Sequence, residues 1–306
     1  MKKISARLLK NSGYKAGSLV IYFILICVSF VYMEPVFRVI SKTFMSAADV
    51  IDPAVEWLPR ASSTENLRIA ARVLNLQKSL VNSLWFSALL AGAQTIVSAL
   101  TGYALSRYEF KFKRFWFMMI LLAFIVPLPV LMVPRLMMFI TFQEATGIKM
   151  IGTALPQVAM ALMGQGVYST VLILIFNNFF NMIPRVLDEA AMIDGASPIQ
   201  VFYHVVVRLS LTTVLVVFLF SFVWNWNETY VTGTLVAGTI ELLPAKLNLF
   251  DQQFESMVSS AGSAFRLNEA YKMAATLISI LPLILLYLIV QKQFIQGIEN
   301  TGITGE

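Results

Sequence analysis

Six stretches of this chain carry no Asp, Glu, Lys or Arg: 16–33, 79–106, 115–134, 150–184, 209–227 and 273–291. Crossing about 30 Å of hydrocarbon at about 1.5 Å per residue takes about 20 mostly apolar residues in helical form. Each stretch reaches that length, or approaches it once flanking side chains snorkel. The fourth exceeds one span and includes polar ends, Gly152–Gln157 and Asn177–Pro184. Backbone polar groups in lipid must be satisfied internally, which leaves helices or a closed barrel. Strand-like alternation is absent, so the barrel is disfavoured. The pattern predicts an all-α integral membrane protein with six transmembrane helices.

Composition removes the main alternatives. Of 306 residues, 58% are apolar and 13% are charged, with a mean hydropathy of +0.74. That is about half the charge an ordinary soluble domain uses to cover its surface. So much apolar surface also excludes a disordered chain. The single cysteine, Cys27, rules out an internal disulfide framework and a cysteine metal cluster. The single histidine, His204, argues against His-rich metal chemistry and a Ser-His triad. Neither a catalytic nor a metal-ligating set is predicted. Cys27 reads as a small apolar filler, and pairs such as Met118-Met119 and Met137-Met138 as packing.

Orientation follows from Lys and Arg. The amino tail holds Lys2, Lys3, Arg7, Lys10 and Lys15, and the link between the second and third stretches holds Arg107, Lys111, Lys113 and Arg114. Placing both inside puts both termini in the cytoplasm. The expected organisation is a single membrane domain over 1–306. It comprises a tail (1–15), helices one to four (16–180), a cytoplasmic link (181–209), helices five and six (210–292) around an outer loop (229–271), and a tail (293–306). Trp85, Trp116, Trp224 and Trp226 fall at helix ends, where indoles prefer the interface. The run 17–33 is longer than a signal-peptide core, so the first helix is expected to be retained. Helix breakers recur: Pro127, Pro129 and Pro134 in the third helix, Pro156, Gly164 and Gly166 in the fourth, Pro282 in the sixth. They read either as ordinary packing irregularity, the commoner case, or as walls of a path that can shift. Arg135 either snorkels outward, the expected case, or lines that path.

The segment 181–209 is the most informative. Pro184 stops the preceding span, and Asp188 and Glu189 lie early in a short helix, where acids complement the amino-terminal dipole. Ala190 and Ala191 let another surface approach closely. Gly195 permits a bend. Ser197-Pro198 reads as an N-cap and first-turn proline opening a second short helix to about Val207, with His204 on it as a surface polar residue. The product is a helix–turn–helix projecting into the cytoplasm.

Glu189-Ala190-Ala191-Met192-Ile193-Asp194-Gly195-Ala196-Ser197 resembles the EAA loop of ABC-transporter permeases, and its Asp-Gly-Ala-Ser extension resembles the carbohydrate-uptake, MalG-like branch. Further likenesses are Asn82-Ser83, the Gly102–Phe110 turn with Arg107, Trp226-Asn227-Glu228, and Gln291–Gly297 at the carboxyl end. The family's Leu-Pro after the motif is missing: Arg208-Leu209 stand there with no proline. The resemblance implies a coupling loop, with Glu189, Ala190, Ala191, Asp194 and Gly195 docking in a cleft of a separate ABC ATPase subunit. This chain has no phosphate-binding Gly-x-x-x-x-Gly-Lys-Ser/Thr loop, so it binds no cofactor itself; ATP and Mg²⁺ belong to the ATPase. Other implied partners are a second permease (a heterodimer), an extracytoplasmic solute-binding protein, a carbohydrate ligand and the lipid bilayer, and no nucleic acid. The expected location is the prokaryotic plasma (inner) membrane.

Asn225, Trp226 and Asn227 offer the ring and amides that sugars stack on and hydrogen-bond to, and are candidates for the translocation path; belt anchoring explains the same residues. The outer loop reads as a contact for the binding protein or as a passive connector. The alternative function is an ion-gradient-driven secondary transporter, which places ionisable groups at mid-membrane. A membrane-embedded enzyme would need clustered acids, His or Cys. The charge-free stretches argue against both.

Overall fold

The computed structural model describes the backbone of residues 2–261 and 268–302 and the side chains of 17–259 and 268–292. The basic amino-tail side chains and the tail residues beyond Lys292 lie outside the described side chains. The elements, in order, are α1 (Lys2–Thr43), α2 (Ala47–Ile51), α3 (Glu65–Val73), α4 (Leu76–Arg107), α5 (Lys113–Ile125), α6 (Leu128–Thr146), α7 (Leu155–Leu162), α8 (Ser169–Met182), α9 (Arg185–Ile193), α10 (Pro198–Leu209), α11 (Leu211–Asn227), α12 (Tyr230–Leu235), α13 (Leu243–Asn248), α14 (Phe250–Ala261) and α15 (Glu269–Gly302). There is no strand among the described residues.

Four described segments are long and apolar enough to cross a bilayer alone: Gly17–Thr43, Leu76–Arg107, Leu128–Thr146 and Glu269–Lys292. Two more qualify only as bent pairs, α8 with α9 (72°) and α10 with α11 (81°), giving four to six candidate spans. The expected third helix, 115–134, is instead two helices parted at Val126-Pro127. The cause is local: Pro127 and Pro129 have no N–H to give the carbonyls of Ala123 and Ile125, so the helix stops and restarts. The expected fourth stretch likewise divides into α7 and α8, with Gly164 (φ +70°) and Tyr168 (φ +52°) in left-handed conformations between them. Pro282, by contrast, sits inside α15 without ending it.

The chain forms two compact units, residues 1–72 with 254–278, and 73–253 with 279–306. In the first, every side chain from Gly17 to Met33 is exposed, as an apolar lipid-facing surface requires. After α1, Ser46 and Asp49 form a capping box on α2, and buried Asn66 donates to the carbonyls of Thr43 and Met45 at 2.8 Å each. The Lys42–Glu269 ion pair (2.7 Å) and the stacked rings of Phe254 and Tyr271 tie the two segments of this unit together.

In the second unit α4 is the central helix, packed on α7, α8 and α11. Lipid supplies no hydrophobic drive between helices, so contact depends on small residues and close packing. Gly102 is the crossing point: a Cβ there would stand 2.7 Å from Phe176 Cβ and 2.9 Å from the Asn177 nitrogen. Around it Ala99, Tyr103, Leu172, Phe176, Phe180, Val206 and Val217 form one core. At the other end of α4, residues 230–248 of the segment expected to form the outer loop are built into the unit. Val231 and Leu235 join one core, Val236 and Leu242 another. Glu241 is held by Lys78 and Lys246 (2.7 Å each) and Asn75 (2.9 Å). Those contacts hold its carboxyl down at about 2.

Candidate functional site

The 183–210 elbow is shaped by a few residues whose local chemistry leaves little choice. α8 ends at Met182, and Pro184 opens α9 after a 72° turn. α9 closes in a Schellman arrangement: Gly195 donates to the Met192 carbonyl and Ala196 to that of Ala191, both at 3.0 Å. The fold needs φ +89° at Gly195, a conformation that residues with a Cβ resist. Ser197 then caps α10 in a box with Gln200, and Pro198 occupies the first helical position. α10 contains a π turn over Val201–Val206. No proline ends it; the Ser210 hydroxyl donates instead to the carbonyls of Val206 (2.7 Å) and Val207 (3.2 Å), and the chain turns by 81° into α11.

The elbow's outer surface is exposed and apolar around two acids, Glu189 and Asp194. Glu189, Ala190, Asp194 and Gly195 are exposed and Ala191 is half-buried. Beside them Ile193 is 86% and Ile199 79% exposed, with Val186, Met192 and Tyr203 also open. Grouped exposed apolar side chains rimmed by polar ones mark an interaction surface. His204 is exposed, its Nδ1 3.2 Å from the Gln200 carbonyl, a local contact on the helix surface.

The elbow's inner side is fixed to α4. Asp188, the neighbour of exposed Glu189, is buried and ion-paired with Arg107 (Nε–Oδ2 2.8 Å). The side chains are 6% and 7% exposed. Arg107 Nη2 also donates to the Ile183 carbonyl (2.9 Å), and Arg185 Nη2 to that of Ser106 (3.3 Å). Burial raises the Asp188 carboxyl above its ordinary value, against the pull of the Arg107 and Arg185 guanidiniums. Tyr103 adds an apolar clamp, its ring centroid 6.0 Å from Phe180 and 4.8 Å from Phe202. Displacing α9 therefore pulls on α4 through a buried ion pair. Sequence reasoning placed Asp188 as a helix-end acid and Arg107 as a loop cation, without joining them. The available signal was that Arg107 directly follows a charge-free stretch, where burial is cheapest to arrange.

The three candidate path residues occupy different environments. Asn225 is buried and donates to Gln94 Oε1 (2.8 Å), which also accepts from the Ser221 hydroxyl. Gln94 Nε2 donates to the Val167 carbonyl (3.2 Å), so this cluster joins α4, α11 and the turn before α8. Trp226 is 2% exposed and stacks on Phe222. Asn227 is exposed, its amide donating to the Val223 carbonyl at 3.0 Å. Gln94 went unremarked in the sequence reading, because an amide pairing across helices leaves no local pattern. Arg135, expected to snorkel outward, lines a cleft and donates to Gln165 Oε1 (3.2 Å). No group of three or more His, Cys, Asp or Glu is arranged for a metal among the described residues.

This arrangement has known counterparts. The UgpE permease protein of a Brucella abortus sn-glycerol-3-phosphate transport system is 27% identical over 296 residues, 93% of this chain and 95% of its own length. The probable starch degradation products transport system permease protein AmyC of Thermoanaerobacterium thermosulfurigenes is 24% identical over 278 residues, 90% and 93% of the two chains. A chain from the crystal structure of a bacterial ABC transporter involved in alginate import has the same fold, with a TM-score of 0.69 at 20% identity, covering 92% of this chain and 97% of that one. The model of the binding-protein-dependent transport system inner membrane component family matches residues 94–300, from the middle of α4 through the elbow and into α15. With the greater part of its length inside that match, the chain belongs to this family: it is an inner-membrane permease subunit of an ATP-driven importer, and not an enzyme.

Proposed function

We propose that this chain crosses the membrane six times with both termini in the cytoplasm, and that the elbow is its coupling loop. Glu189, Ala190, Ala191, Asp194 and Gly195 form the face that enters a cleft of the ABC ATPase, with Glu189 meeting a basic group there. The observation that carries this reading is a helix with an open apolar face on one side and a buried Arg107–Asp188 anchor on the other. Such an element transmits force: what moves α9 must also move α4, so binding energy at the ATPase biases the membrane helices between two arrangements. ATP and Mg²⁺ are bound by the ATPase. A sister permease, two ATPase copies and an extracytoplasmic binding protein complete the assembly. Asn225, Trp226 and Asn227 border the solute path at the end of α11, Asn227 as its open member and the other two as its packed wall.

The solute is an oligosaccharide or related carbohydrate. The names of the two relatives support this, since sn-glycerol-3-phosphate and starch degradation products are both polyhydroxylated. The coupling reading is tested by Glu189→Lys in the reconstituted assembly. Uptake is expected to be lost while the chain still inserts, and full uptake by the variant would remove Glu189 from coupling.

A further inference from the structure

The two interruptions in the membrane helices lie side by side and enclose a cleft of about 260 Å³. One wall is Ala123–Leu128 with Leu131 and Arg135, the other Gly164–Thr170. α5 has 13 residues and α8 has 14, so each break stands about 20 Å along its helix from the cytoplasmic end. That is well inside about 30 Å of hydrocarbon. A charged side chain that faces a cavity inside a membrane bundle marks a ligand or ion pathway. Arg135 is the charge here. It is half-buried, and among the described residues its one partner is the neutral side-chain oxygen of Gln165; no carboxylate pairs with it.

The rest of the cleft complements an anion bearing hydroxyls. α8 begins here with no side-chain cap; Ser169 and Val171 donate their N–H groups to the Gly166 and Tyr168 carbonyls (3.1 and 2.9 Å), which leaves the N–H of Thr170, a residue lining the cleft. Ser169, its first residue, lines the cleft and is 2% exposed, and its buried hydroxyl has no hydrogen-bond partner among the described residues. A buried hydroxyl left unpaired is destabilising unless something moves or enters to bond it. On the opposite wall, Ala123 and Ile125 have carbonyls whose helical donors are replaced by Pro127 and Pro129, and these carbonyls can accept from sugar hydroxyls. Gly166 fixes the turn closely: a Cβ there would fall 1.9 Å from Gln94 Nε2. The cleft therefore has a fixed shape set by the same Gln94 cluster that holds α11.

We propose that this cleft is an oxyanion subsite of the solute path, in which Arg135, the Ser169 hydroxyl and the Thr170 N–H take a phosphate or carboxylate group of an acidic sugar or polyol phosphate. The inference rests on the permease reading above and narrows its solute class. The cleft is slightly below the ~300 Å³ of ordinary ligand pockets, which suits one charged end of a solute rather than a whole oligosaccharide. An anionic lipid headgroup shares the same chemistry; the depth of the cleft favours the solute.

The test uses the complete permease–ATPase assembly in nanodiscs of zwitterionic lipid, titrated with sn-glycerol 3-phosphate, trigalacturonate and neutral maltotriose. At least one anionic probe should bind at least about tenfold more tightly than maltotriose, and high salt should weaken it. Arg135→Gln should cost at least about tenfold in that affinity, Arg135→Lys much less, and Ser169→Ala an intermediate amount. The wild-type comparison needs no variant to fold. Equal binding of neutral and anionic probes, or unchanged affinity in a folded Arg135→Gln, would overturn the subsite. So would loss of probe binding on adding phosphatidylglycerol to the discs, which would assign the cleft to lipid. ATP-driven uptake that persists in any of these cases leaves the permease reading standing; failure of the chain to assemble with its ATPase would instead sink that reading.

Discussion

Replacing Asp188 by Asn should release the elbow from α4 while leaving its exposed face unchanged. The Arg107–Asp188 pair is 2.8 Å long between side chains only 6% and 7% exposed, so the substitution leaves a guanidinium buried with no carboxylate opposite. Removing one partner of a buried pair costs about 3–5 kcal/mol, because the other charge stays desolvated and uncompensated. Burial has already pushed Asp188 up, cancelling part of the attraction, and its Oδ1 has no hydrogen-bond partner among the described residues. The expected loss is therefore at the lower end, about 3 kcal/mol, which is more than about a hundredfold in the anchored fraction. Replacing both residues with apolar ones, Arg107→Met with Asp188→Leu, removes the stranded charge and should cost less than either single change. The assay has two readings on the reconstituted assembly: thermal unfolding of the permease and solute transported per ATP hydrolysed. The single variants should hydrolyse ATP with little transport, and the double variant should recover stability without full coupling. Asp188→Asn with wild-type stability and wild-type transport per ATP would refute the anchor.

Three other expectations use different parts of the molecule. Gly102→Ala places a methyl 2.7 Å from Phe176 Cβ and 2.9 Å from backbone, so α4 and α8 must part, at a cost of about 1–3 kcal/mol readable as a lower unfolding temperature. Gly195→Val has open space around it but imposes φ +89° on a β-branched residue; about 1–2 kcal/mol of backbone strain should weaken retention of the ATPase during purification. Glu241, held at about 2 against 4.5 by Lys246, Lys78 and Asn75, supplies about 1–2 kcal/mol once solvent screening of these partly exposed pairs is counted, fully present above pH 4.5 and lost as the pH falls towards 2. Glu241→Gln should therefore lower the unfolding temperature at pH 7, with the gap to wild type closing below pH 4.5.

The sequence was most legible where a single residue type dictates backbone behaviour. Charge-free runs set the membrane class, and Pro184, Gly195 and Ser197-Pro198 set the elbow, because each acts on its own few dihedrals. Pro127 and Pro129 were legible as breakers. Their consequence was not, since the cleft depends on α8 starting at the same depth as α5 stops. Pairings across helices were hidden altogether: Arg107 with Asp188, and Gln94 with Asn225 and Ser221, lie far apart in the chain and follow no local period. The missing Leu-Pro had a local substitute in the Ser210 hydroxyl, visible only once its carbonyl partners were in place.

The central claim is that this chain moves solute only when a separate ATPase works on its elbow. The most direct measurement is solute uptake into sealed vesicles. It compares the complete assembly with its binding protein, with and without internal ATP, against this chain alone. The account predicts accumulation in the first case only. Accumulation driven by this chain alone, or by the assembly without nucleotide, would contradict it.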